Sequence, residues 1–315
     1  MGCMTSKDDV LIPAKKRGEV MNEALIFIKP HASKSRKIKE LVTRMLADFG
    51  VEVLAEGILD GKTIDQGEII DQHYAHIAKI ALKMKPDELV VEKEIQECFA
   101  SQFRETWISA LPKIVNLGEF QKQNGSLTMV EINAIWDKST KFKLGPGTYI
   151  GKLEGKDQYL LNGFYGSMRE IYTDKNATVV WFTVKFSEDL ISWKDFRQNI
   201  VGSTDPSKAA PGSIRRTILD RYEELGLVLA PNTGLNGIHA SASPFEALRE
   251  RTVWLKAKVQ EDSFGKQLQA AGVPQNNIQD WLENKLVTIA GETGNAFDLL
   301  EDKNTSECIR LAQNN

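Results

Sequence analysis

A chain of 315 residues, 42% of them hydrophobic and 26% charged, has the composition of a globular protein with a sizeable core, in one large domain or two ordinary ones. Its formal net charge of −3 at pH 7 argues against a protein that coats nucleic acid through its overall field, and no basic stripe with interleaved aromatics runs along it. Three widely spaced cysteines, Cys3, Cys98 and Cys308, make neither a disulfide framework nor a CxxC metal site and point to a reducing compartment, while no apolar run approaches the ~20 residues of a membrane span and no signal-peptide core is visible.

In chain order, residues 1–22 read as a tail. Met1-Gly2-Cys3-Met4-Thr5-Ser6-Lys7 matches the pattern for myristoylation at Gly2, and Cys3 beside it is placed to take a palmitoyl group. Two acyl chains hold a protein firmly where one binds marginally, so the motif predicts a location at the cytoplasmic face of a membrane. A compact apolar strand follows over 24–28. Ile38, Leu41, Val42, Met45, Leu46 and Phe49 then recur at helical spacing up to Gly50. A strand over 51–59 and a helix over 64–77 complete a β-α-β-α opening. The stretch 78–160 breaks that rhythm and reads as a mostly helical insertion. Pro86-Asp87-Glu88 opens one helix, Thr128 to Glu131 has capping-box spacing before another, and Gly145-Pro146-Gly147 marks a turn. Residues 177–186 carry the densest β-branched and aromatic content and predict a central strand. A short helix over 193–200, a loop over 202–212 and a helix over 213–226 come next. The His239 segment ends a strand or turn before a helix over 244–255, and 256–315 reads as a polar, helical appendage with a low-order end.

The chemistry centres on Asn236-Gly237-Ile238-His239-Ala240-Ser241-Ala242-Ser243. A histidine after a glycine-rich, proline-punctuated stretch, an acid at Glu250 able to orient its ring, and a strand ending on Lys29-Pro30 suggest phosphoryl transfer. An imidazole is nucleophilic while neutral near pH 7, and positioned cations do most of the work on a transferring phosphoryl.

Five segments occur in order: Lys29-Pro30, His73-Tyr74, Gly202-Ser203-Thr204-Asp205-Pro206, Pro211-Gly212-Ser213-Ile214-Arg215, and Asn236 to Ser241. In these the chain resembles the nucleoside diphosphate kinase family over 24–77, 161–215 and 233–255. The resemblance implies a ferredoxin-like α/β sandwich with an antiparallel four-stranded sheet. That domain would be built from 23–77 and 161–255, with the insertion over 78–160 and a C-terminal extension over 256–315. It implies that His239 takes the γ-phosphoryl group from a nucleoside triphosphate and passes it to a nucleoside diphosphate. Glu250 would fix the other ring nitrogen, with Ser241 at that loop. Lys29, Tyr74, Arg215, Thr204 and Arg197 would meet phosphate, Asn236 the sugar, and Phe164 with Met168 the base. Mg2+ would arrive with the nucleotide.

The chain also departs from the family. His31 follows Lys-Pro where an acid is usual, His76 replaces another acid, and Ala242 replaces a carboxylate near the nucleotide-borne metal. Arg197 stands one residue further from Gly202 than in the family, and Arg215 and Asn236 lie twenty-one positions apart, a longer loop than usual. These differences predict a slower rate or altered metal dependence, and a dimer in place of the family's hexamer. His31, His73 and His76 show no metal-ligand pattern and read as surface or supporting residues. The rival reading is a membrane-tethered, nucleotide-binding scaffold without turnover.

Overall fold

The computed structural model of the chain describes residues 20–313; Gly2 and Cys3 lie outside them. Its central sheet joins β1 (Met21–Ile28), β2 (Glu52–Asp60), β7 (Thr178–Ser187) and β8 (Ile238–Ala240) in the order β2-β7-β1-β8, with every pairing antiparallel. In chain order these are the first, second, third and fourth strands of the sheet, so their spatial order is 2-3-1-4. Together with the connecting helices this is the ferredoxin-like arrangement.

β1 is a near-continuous apolar run because both of its faces are covered. Ala24, Ile26 and Ile28 pack with Phe182, Val184 and Phe186 of β7. Against them lie Ile38, Leu41, Val42 and Leu46 of the Arg36–Asp48 helix and Ile214 and Ile218 of the Ile214–Asp220 helix. Leu25 and Phe27 face the other way, onto Ile64, Ile69, Ile70, Tyr172, Val253 and Trp254. The Arg36–Asp48 helix starts where Ser35 Oγ accepts from Ile38 N at 3.3 Å, and just beyond it Gly50 takes a left-handed φ of +78°.

The insertion holds more sheet than its sequence suggests. Helices occupy Ala75–Leu82, Lys93–Phe103, Leu117–Gln123 and Met129–Lys138, the last opened by the Thr128/Glu131 capping box. Beside them β3 (Ile114–Asn116), β4 (Thr140–Gly145), β5 (Thr148–Lys152) and β6 (Tyr159–Leu161) form a second sheet in the order β3-β6-β5-β4. The turn at 145–147, with Gly147 at φ +62°, closes β4 onto β5 as a hairpin.

The C-terminal extension is ordered and has a core of its own. Phe264, Leu268, Ile278, Trp281, Ile289, Leu300 and Cys308 bury themselves with Phe245 and Leu248 of the Pro244–Trp254 helix. A hairpin of β9 (Leu286–Ile289) and β10 (Glu292–Asn295) turns on Ala290 and Gly291, both at positive φ. A buried ion pair fastens the extension, with Arg251 Nε and Nη2 on the Asp262 carboxylate at 2.6 and 3.0 Å. Asn22 of β1 fastens it again, accepting from Thr305 N at 2.8 Å and donating to Asn304 Oδ1 at 3.0 Å. The expectation of a low-order end is thus corrected, because apolar residues at helical spacing close a core there. Among the described residues no helix is long and apolar enough to cross a membrane.

Candidate active site

β8 is an edge strand paired to β1 so that His239 stands opposite Phe27, and the two rings stack at 4.5 Å between centroids. His239 Nε2 lies 2.5 Å from Glu250 Oε1, and Ser241 Oγ donates to Glu250 Oε2 at 2.6 Å. Glu250 is 2% exposed. A neutral imidazole donating Nε2–H to this carboxylate keeps its lone pair on Nδ1, which has no hydrogen bond among the described residues. Burial, then the charges of Lys29, Arg215 and Arg197, hold the His239 pKa well below its ordinary value. The ring therefore stays neutral at physiological pH. Burial also raises the Glu250 pKa, against the opposing pull of His73 and the Ser241 hydrogen bond.

The cations come from three elements. Lys29, at the end of β1, donates from Nζ to Gly234 O at 3.2 Å, and its backbone N–H bonds Gly237 O at 2.9 Å. Burial and Arg215 lower its pKa to about 8. Arg215 is buried, with Nη1 on Gly202 O at 2.8 Å and Nη2 on Ile238 O at 3.0 Å, so it ties the segments before and after it to the His239 strand. Burial, then Arg197, bring its pKa to about 10. Arg197 stands in a π-helical turn, Phe196–Val201, where Gly202 N–H reaches back to Arg197 O at 3.0 Å. One extra residue per turn is what a π turn absorbs, and this takes up the added residue before Gly202. Arg197 Nη1 is paired with Glu301 and Asp302 of the extension at 2.8 and 2.6 Å.

Tyr74 packs edge-on against His73 at 4.5 Å, and burial, with Glu250 and Glu246, pushes its hydroxyl up to about 12. Asn236 is buried; its Nδ2 donates to Thr204 O at 3.0 Å while Oδ1 has no partner. Thr204 itself is exposed. Phe164 and Met168 pack instead against the insertion core, where the Phe164 ring meets Trp136 at 6.0 Å and Tyr149 at 5.8 Å. Among the described residues no hydrogen bond or ring contact links them to His239. A cavity of about 700 Å3 between the central sheet's helices and the insertion, lined by Asp71, Lys79, Tyr165, Arg169 and Arg249 among others, does not include His239, Lys29 or Arg215.

Several residues stand closer to the site than their sequence alone indicates. Of the two roles expected for His73, surface or supporting, it has the second: its side chain is 7% exposed, its Nδ1 accepts from Trp254 Nε1 at 3.3 Å and lies 3.5 Å from Glu250 Oε1. Burial lowers its pKa to about 3. His73, His239 and Glu250 thereby bring three potential metal-ligand atoms within 4.8 Å of one another, although each is already engaged in a hydrogen bond or close polar contact. His31 accepts from Gly237 N at 3.2 Å, and burial, then Lys29, lower it to about 4. Glu246, one turn before Glu250, takes the backbone N–H of Ala242; burial, then Glu250, raise its pKa to about 8. Its spacing of four from Glu250 on a predicted helix was the available signal. Glu301 and Asp302 offered none.

No family model matches the chain. Over 93 residues it is 37% identical to a nucleoside diphosphate kinase of Staphylococcus haemolyticus, covering 30% of this chain and 51% of that relative. The chain thus spans about half the length of the curated relative it matches. Among solved structures, the nucleoside diphosphate kinase of Encephalitozoon cuniculi, in its apo cubic form, is 16% identical over 76% of this chain and 92% of its own, with a TM-score of 0.37. The nucleoside diphosphate kinase of Aquifex aeolicus is 15% identical over 77% of this chain and 99% of its own, also with a TM-score of 0.37.

Proposed function

Taking the chain as a divergent member of the nucleoside diphosphate kinase family, we propose that it moves the γ-phosphoryl group of a nucleoside triphosphate to a nucleoside diphosphate through phosphohistidine at His239. One observation carries this reading: a buried carboxylate, Glu250, bonds Nε2 of a ring kept neutral by burial and cations. In the first half-reaction a bond forms between Nδ1 and the γ-phosphorus as the bond from phosphorus to the β–γ bridging oxygen breaks, and the diphosphate leaves. A second diphosphate reverses the step with its own terminal oxygen. The ring begins and ends neutral, so Glu250 holds one tautomer throughout and stabilises the charge that develops on the imidazole. Lys29, Arg215 and Arg197 oppose the charge spread over the transferring group, and the hydroxyl of Tyr74 stays protonated and able to donate.

Thr204 is assigned to phosphate and Asn236, through its unpartnered Oδ1, to the sugar. Phe164 and Met168 serve as the base platform only if the base reaches the insertion core, where they pack. The three cations suit a polyphosphate. The carboxylates nearby, Glu246, Glu301 and Asp302, are engaged with Ala242 N or Arg197, so Mg2+ fits as an ion carried by the nucleotide's own phosphates. Such an ion would offset part of the charge of the phosphates. A dimer formed along the exposed edge of β2, and acylation at Gly2 and Cys3, complete the proposal.

Brief incubation with Mg-ATP followed by intact-mass and peptide mass spectrometry under alkaline conditions tests it. The expected result is one acid-labile phosphate on His239 that disappears in His239→Ala and on adding a nucleoside diphosphate. A chain that binds Mg-ATP and acquires no phosphate would be the scaffold of the rival reading.

A further inference from the structure

The extension that closes the fold also reaches the candidate site. Arg197 Nη1 donates to Asp302 Oδ1 and Glu301 Oε1, while Nε and Nη2 make no hydrogen bond among the described residues. Pairs of this exposure, with the carboxylates 35% and 49% accessible, contribute little to stability as a rule. Anchoring sets this one apart. Asp302 N–H donates to Ala242 O at 3.0 Å, three residues beyond His239, and Asp302 takes a left-handed φ of 59°, a conformation that Asp adopts more readily than most non-glycine residues. Just before it, Leu300 is fully buried in the extension core. The acids are thus fixed to the strand end that carries the nucleophile, and Arg197 is fixed to them. The charge of Arg197 in turn acts on both His239 and Arg215.

We propose that Asp302, with Glu301, is a positioning residue: the two carboxylates hold Arg197 by one nitrogen, so that its remaining donors engage the phosphates of the bound nucleotide. This rests on the phosphotransfer reading above. It makes the extension a working part of the nucleotide site. A guanidinium is suited to the task because its planar fork can bond carboxylates on one edge and an anion on another.

Simple electrostatics predicts the opposite sign, and that makes the proposal sharp. Removing two negative charges beside a polyphosphate should tighten its binding, whereas losing the positioning of Arg197 should loosen it. The test compares the full chain with a Glu301→Gln/Asp302→Asn double variant by calorimetric titration of Mg-ATP and of adenosine. The expected result is Mg-ATP binding about tenfold weaker, the scale of one lost charge-assisted contact, with adenosine unchanged and the rise in KM larger than any fall in kcat. Unchanged or tighter Mg-ATP binding would overturn the proposal, as would an equal loss for adenosine, which marks general disruption. Should the double variant melt early, Glu301→Gln alone, on the more exposed acid, must shift Mg-ATP affinity in the same direction. Absence of phosphohistidine in the wild-type chain would sink the phosphotransfer reading, yet the Mg-ATP titration still decides the role of Asp302.

Discussion

Around His239, burial pushes imidazoles and carboxylates in opposite directions. His31 and His73 titrate at about 4 and about 3 in the folded chain and near 6.5 when unfolded. Their contribution is therefore present above pH 6.5 and lost as pH falls towards the folded values. Glu246 behaves oppositely. It holds its proton to about pH 8 when folded and releases it near 4.5 when unfolded, so its contribution is full below 4.5 and lost as pH rises through 8. Glu246→Gln keeps an acceptor for Ala242 N and deletes that loss. The variant should be more stable than wild type at pH 8.5, by roughly 3–5 kcal/mol, and nearly equal at pH 4.5. Calorimetric Tm values across this range check it, and both chains share the histidines' contribution. An equal drop in Tm at both pH values would contradict a titrating role. At this scale Lys29, Arg215 and His239 were legible because each sits in a short segment with its own chemical signature, and Glu250 as the acid eleven positions after His239. Whether His73 was a surface or a supporting residue stayed open, because its burial depends on Trp254 and Glu250, which lie far along the chain.

Elements with strong periodicity were equally legible. β1, β7, the Arg36–Asp48 helix and the Thr128 cap all follow from local spacing. β3 and β6 did not, since each has three residues and their parallel pairing depends on partners forty-five positions apart; the hairpin of β4 and β5 had a signal in Gly145-Pro146-Gly147. The π turn over Phe196–Val201 left its trace only as one extra residue before Gly202. Between β2 and the Gly61–Gln66 helix, tight packing imposes a glycine for want of space. A Cβ on Gly61 would stand 1.9 Å from Asp174 O, a backbone atom that cannot swing away. Gly61→Ala should cost about 2 kcal/mol or more through backbone shift. Chemical denaturation measures this, and a midpoint equal to wild type would mean that the 173–174 turn yields freely.

Across the whole molecule, two additions to the ferredoxin-like sandwich behave differently. The insertion keeps much of its apolar surface to itself, in a core built around Phe99, Phe103, Trp107 and Tyr159. The extension shares its core with the helix that carries Glu250. Ending the chain at residue 256 would uncover Phe245 and Leu248 and leave Arg251 without Asp262, and breaking a buried ion pair costs roughly 3–5 kcal/mol. Such a chain should aggregate or bind a hydrophobic dye; a soluble, cooperatively melting product with wild-type Tm would refute the shared core. None of this was readable locally, because the contacts join residues near opposite ends of the chain. Asn22 meets Asn304 and Thr305 across separations of 282 and 283 residues, and Ala242 meets Asp302. On the ribosome, Asn22 of β1 emerges 282 residues before its polar partner Asn304. Any folding intermediate in which the extension has not yet docked therefore leaves Arg197 without Glu301 and Asp302 to restrain it.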